Sequence, residues 1–127
     1  MLKIKKCLFV LLLPVLIAGC TTVGNLTPGQ YPGSASGFYR VEASWRTTQS
    51  DVVPGSITAS VMVGNNSYDM RPVPVVQDRW EAFIPVSAGA EEIRYRYRFD
   101  FMKYAIGGQK PDSVLSPEYR LKITAAK

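Results

Sequence analysis

Glu92-Ile93-Arg94-Tyr95-Arg96-Tyr97-Arg98-Phe99-Asp100-Phe101 alternates without a break. Ile93, Tyr95, Tyr97, Phe99 and Phe101 fall on one side of an extended chain, with Arg94, Arg96, Arg98 and Asp100 on the other, because successive strand side chains point to opposite faces. A helix would scatter both sets around its circumference, so the period of two predicts a half-buried strand over 92–101.

The same period recurs outward in both directions. Tyr39, Val41, Ala43 and Trp45 alternate with Arg40, Glu42, Ser44 and Arg46 in 38–46, and Ile57, Ala59, Val61 and Val63 alternate with polar residues and Met62 in 56–63. Gly64-Asn65-Asn66-Ser67 supplies residues that tolerate positive φ, predicting a hairpin into 68–71. Pro72 and Pro74 lack a ladder N–H and mark 72–76 as an edge or bulged stretch. Trp80, Ala82, Ile84 and Val86 form another apolar face, closed by the turn Ser87-Ala88-Gly89-Ala90. After a loop over 107–112, Tyr119, Leu121 and Ile123 predict a last strand over about 117–125. Roughly five to seven short strands, with turn signals between them and no helical period, predict an all-β fold: a single immunoglobulin-like antiparallel β-sandwich over 37–127.

The N-terminus is of another kind. Lys3, Lys5 and Lys6 precede the apolar run Leu8 to Ile17, which is short for a bilayer span, and Ile17-Ala18-Gly19-Cys20 follows. This resembles the lipobox of bacterial lipoproteins, with its lipoprotein signal peptide. The resemblance implies removal of 1–19, diacylglyceryl transfer to the Cys20 sulfur and acylation of the new amine. Palmitate-type chains would then fix the protein to the membrane, since two chains anchor stably where one is marginal. The resemblance further implies sorting: in such lipoproteins an aspartate after the cysteine favours the inner membrane, so Thr21 at that position implies the outer membrane, with the domain in the periplasm or at the cell surface. Residues 21–36 hold three glycines and two prolines with no charge and no period. They read, with Cys20, as a lipidated flexible tether over 20–36, whose reach would be roughly 20–25 Å.

Removing 1–19 leaves 108 residues, one small domain, with twelve basic against ten acidic residues. The net charge of +2 argues against nucleic acid as a partner, because the excess basicity belonged to the signal. The chain has no histidine, and both cysteines, Cys7 and Cys20, are claimed by the signal and the lipid. The usual general base and the usual zinc and copper ligands are therefore missing, so no metal, no cofactor and no catalytic residue is expected. Ser113 and Ser116 have no histidine to activate them, and Gly107-Gly108 lacks the Lys-Ser/Thr of a phosphate loop.

Arg79-Trp80-Glu81-Ala82-Phe83-Ile84-Pro85-Val86, then Gly89, then Tyr95-Arg96-Tyr97-Arg98-Phe99-Asp100, is similar to a hairpin of early-set immunoglobulin-like domains, the glycogen-binding-type modules. The resemblance spans 79–100 and implies the same fold and a glycan ligand. A sugar platform needs solvent-facing aromatics, for which Tyr31, Phe38, Tyr68, Phe83 and Tyr104 are the candidates, while Trp45, Trp80, Tyr95, Tyr97 and Phe99 are expected in the core. Arg94, Arg96 and Arg98 form a cationic row that acids such as Glu42, Glu81 or Glu118 could balance across the sheet, or that could bind an anionic partner. The expectation is a non-catalytic, membrane-anchored module that binds an envelope protein or serves envelope assembly. The alternative is a glycan-binding module of a carbohydrate-uptake or cell-wall system.

Overall fold

The computed structural model describes residues 21–125, so the signal segment 1–19 and Cys20 lie outside the described residues. The described residues form nine strands and no helix: β1 (Thr21–Asn25), β2 (Gln30–Pro32), β3 (Phe38–Thr47), β4 (Thr58–Val63), β5 (Asn66–Pro72), β6 (Arg79–Pro85), β7 (Glu92–Ala105), β8 (Gly108–Leu115) and β9 (Tyr119–Thr124). Hydrogen bonding orders them β1-β3-β6-β5-β4-β7-β9-β2, with β8 attached to β7. The sheet curls at β5, where Asn66 to Met70 pair with β4 while Arg71 and Pro72 pair with β6. Two layers thereby face each other across one core, as in an immunoglobulin-like sandwich.

The alternation seen in the sequence determines what fills that core. Val41, Ala43 and Trp45 from β3 and Ile84 from β6 meet Val61 from β4, Leu121 from β9 and the β7 series Tyr95, Tyr97, Phe99 and Phe101. Trp45 stacks on Phe99 at 4.9 Å between centroids, and Trp80, half-buried, meets the same ring edge-on at 6.2 Å. Both are arrangements that aromatic quadrupoles favour. The β4–β5 hairpin turns on Gly64-Asn65 between the paired Val63 and Asn66, with Gly64 at φ 59°, a conformation glycine adopts without a Cβ penalty.

Two expectations are corrected. The stretch 21–36 is not a free tether: β1 pairs antiparallel with β3, β2 pairs parallel with β9, and Val23 and Tyr31 pack on the core. Among the described residues the fold therefore includes the chain from Thr21 onward and does not wait until Gly37. The cause is a polar demand inside the sandwich. The Tyr97 hydroxyl lies 2.7 Å from Asn25 Oδ1, to which it donates, and 2.8 Å from Thr27 Oγ1, while Asn25 Nδ2 donates to the Tyr95 hydroxyl at 3.0 Å. Buried hydroxyls need such partners, and this first segment supplies them.

The second correction is 107–112, read as a loop, which is mostly strand: β8 pairs with β7 from Ala105↔Gly108 to Arg98↔Leu115 around a turn at Ile106-Gly107. The last strand is correspondingly shorter than expected, Tyr119–Thr124. Over 37–127 the strands number seven, β3 to β9, within the expected five to seven, and β1 and β2 bring the described total to nine.

Candidate functional site

Strands β3 and β6 present the richest outward face. Inward Tyr39, Val41, Ala43 and Trp45 force Phe38, Arg40, Glu42, Ser44 and Arg46 outward, and the register sets Arg40 against Phe83, Glu42 against Glu81 and Phe38 against Pro85. Glu42 and Glu81 are buried although they face outward. Two carboxylates directly opposite would repel. Arg40 bridges them, bonding Glu42 Oε1 through one terminal nitrogen and Glu81 Oε2 through Nε at 3.4 Å. Arg79 reaches Glu42 at 3.8 Å and Arg71 reaches Glu81 at 3.9 Å. Three guanidinium groups thus surround two buried acids, and the positive charge is what solvent meets. Beside them Phe38 and Phe83 are each 53% exposed, diagonal neighbours on one sheet, and Leu26 is 40% exposed next to Glu42.

The arginine row lies on the outward face of the other layer. Arg94 and Arg96 share Glu118, at 4.0 and 3.6 Å, and Arg98 bonds Asp100 on its own strand at 3.0 Å. Of the acids considered from the sequence, only Glu118 meets the row, because Glu42 and Glu81 are held on the β3–β6 face. Arg120 stands directly opposite Arg94 and pairs with Glu92 at 3.9 Å. Each guanidinium of the row therefore has a carboxylate within 4.0 Å.

Of the proposed sugar platforms, Phe38, Phe83 and Tyr104 are exposed, whereas Tyr31 and Tyr68 are half-buried against the core. The Tyr31 hydroxyl donates to the Arg40 carbonyl at 2.8 Å, and burial raises its phenol above the usual value. The Phe38–Phe83 pair was legible as two outward positions. The buried acid pair between the arginines was not, because only the strand register brings Glu42 opposite Glu81.

The two ends of the sandwich differ. At one, segments 33–37, 86–91 and 122–125 surround an open recess of about 950 Å³, lined largely by glycine, alanine and serine. At the other, β1 begins: Thr21 pairs with Thr47 at the end of β3, and Trp45 N–H donates to the Asp78 carbonyl at 2.9 Å, which brings in the β5–β6 connection. The tip of the β7–β8 hairpin lies at this end too, because Tyr104 N–H donates to the Asp51 carbonyl and Val53 N–H to the Met102 carbonyl, each at 2.8 Å. Among the described residues, no group of three or more His, Cys, Asp or Glu could hold a metal ion.

No family model matches the chain. No curated protein matches it either. Among solved structures it is similar to murine CRIg, at 10% identity and a TM-score of 0.44, over 85% of this chain and 99% of that one.

Proposed function

We propose that this protein is a non-catalytic outer-membrane lipoprotein, attached through Cys20, whose immunoglobulin-like domain binds an envelope protein or serves envelope assembly. The observation that supports a protein partner is the β3–β6 face, where exposed Phe38, Phe83 and Leu26 adjoin Arg40, Arg71 and Arg79. Aromatic and arginine side chains are enriched at protein interfaces, and arginine aliphatic stems extend the apolar area. The fixed acids beneath hold the guanidinium forks in place, so less side-chain freedom is lost when a partner's carboxylates or carbonyls meet them.

The glycan reading rests on one observation, the exposed Phe38–Phe83 pair on a single sheet. Sugar hydroxyls also need polar partners, and the two acids nearest that pair are already engaged by arginine. The arginine row is a further surface for an anionic partner, which would compete with Glu118 and Asp100.

The test is crosslinking and affinity capture from envelope membranes with the full chain, comparing the parent, Phe38→Ser with Phe83→Ser, and Arg94→Gln with Arg96→Gln and Arg98→Gln. A protein captured by the parent and the arginine variant but lost from the phenylalanine variant supports the reading. Retention by both variants refutes it. Loss from the arginine variant alone moves the site to the row, and retention of purified glycan by the parent, sensitive to Phe38 and Phe83, favours the sugar module.

A further inference from the structure

The end of the sandwich where the chain enters also carries its most exposed aliphatic side chains. Val75 and Ile106 are fully exposed, at 103% and 107%, and Val76 and Tyr104 are 42% and 55% exposed. Val75 and Val76 sit in the β5–β6 connection, closed by Val73 N–H donating to the Arg79 carbonyl at 2.9 Å. Ile106 is the tip of the β7–β8 hairpin, which runs beyond the β4 pairing that ends at Thr58↔Asp100. Nothing in folding rewards four apolar groups in water. Val75 also holds φ at 68°, a conformation that β-branched residues avoid. Its strain and its exposure together point to a use outside the fold.

The position of Thr21 identifies the occupant. Thr21, the residue that follows Cys20 in the sequence, already lies in β1 and pairs with Thr47. With Cys20 lipidated, the end that contains Thr21 and Thr47 has to sit at the bilayer surface, so Val75, Val76, Tyr104 and Ile106 face it as well. The charges at this end balance in number, Arg46, Lys103 and Lys110 against Asp51, Asp78 and Asp112, and Lys103 meets Asp112 at 3.2 Å and Asp51 at 3.7 Å. The contact is therefore apolar and not a response to anionic headgroups.

We infer that this end of the sandwich docks on the lipid bilayer, with Val75 and Ile106 inserted among the acyl chains and Tyr104 at the headgroup level, so that the domain is held upright and its opposite recess faces away from the membrane. The aliphatic tips gain by leaving water, and a tyrosine with an apolar ring and a polar hydroxyl suits the interface. The inference rests on acylation of Cys20 and adds an orientation to it.

The test uses the mature lipoprotein in phosphatidylethanolamine vesicles. Since Cys7 leaves with the signal and the Cys20 sulfur is blocked, a new cysteine is the sole label site. Fluorophores are placed at Val75→Cys, Ile106→Cys and, at the opposite end, Ala88→Cys, and a quencher is carried on the acyl chains. Labels at 75 and 106 should be quenched at least twofold more than the label at 88, unchanged in about 0.5 M salt, where surface charge is screened. Val75→Asp should lower the quenching of the label at 106. Equal quenching at all three positions, with an acylated N-terminus by mass spectrometry, overturns the docking alone. An N-terminus without lipid overturns the docking together with the anchor, and quenching abolished by salt overturns the apolar contact.

Discussion

Tyr97 shows how much of this fold hangs on one hydroxyl. Its ring is fully buried, and its oxygen meets Asn25, Thr27 and the Glu42 carbonyl, joining the first strand, the connection after it and β3 to the centre of β7. Tyr97→Phe keeps the shape and removes the shared partner. It should cost about 1–3 kcal/mol in urea unfolding, since the buried groups left behind lose their hydrogen bonds. The same burial carries a pH consequence. Burial pushes the Tyr97 phenol well above its usual value, with the Thr27 hydrogen bond opposing it. A folded-state pKa above the unfolded one contributes stability that is fully present below about pH 10 and falls as pH rises toward the folded value. Stability should therefore decline from about pH 10 upward, and the decline should be shallower in Tyr97→Phe when followed by circular dichroism.

At the scale of elements, legibility tracked burial. Strands β3, β4, β6 and β7 bury alternate side chains and so write their period into the sequence, as Tyr95, Tyr97 and Phe99 do against Arg94, Arg96 and Arg98. Strands β1, β2 and β8 do not. Thr21-Thr22-Val23-Gly24-Asn25 inserts one aliphatic side chain, β2 is three residues ending in Pro32, and Lys110 to Ser113 in β8 are all exposed. These strands are held by backbone ladders to β3, β9 and β7, and a ladder leaves no trace in side-chain pattern. The outward face was legible as separate positions, Phe38, Arg40, Glu42 and Phe83, but the strand register that turns them into a site was not. The correction predicts an outcome that the tether reading would not. The segment 37–127 alone lacks Asn25 and Thr27 as partners for Tyr95 and Tyr97 and uncovers core beside Val23 and Tyr31. It should lose cooperative thermal unfolding, whereas 21–127 should melt in one transition. A free-standing 37–127 with an unchanged melting temperature would return β1 and β2 to the status of a tether.

For the whole molecule, the consequence of β1 starting at Thr21 is mechanical. A lipid on a long flexible linker lets a domain tumble and sample partners in all directions, while a lipid joined directly to an edge strand fixes which side faces outward. Under the proposed acylation of Cys20, the β3–β6 face with Phe38 and Phe83 would stand alongside the membrane normal, and the recess between 33–37 and 86–91 would look away from the bilayer. A partner would be met in one orientation, with most of the rotational cost of association already met by the anchor. Inserting about twelve Gly/Ser residues between Cys20 and Thr21 separates these effects, because such a linker spans roughly 20 Å and restores free tumbling without touching the fold. The insertion variant should stay acylated and keep its melting temperature. Fluorescence anisotropy of a label on the domain should fall, because the two aliphatic tips dock only weakly once the short connection no longer presents them to the bilayer, and capture of a membrane-resident partner should weaken. Unchanged anisotropy would mean that the apolar tips Val75 and Ile106 hold the bilayer without help from the short connection. Anisotropy that is already low in the parent would mean that the first strand does not fix the domain at all.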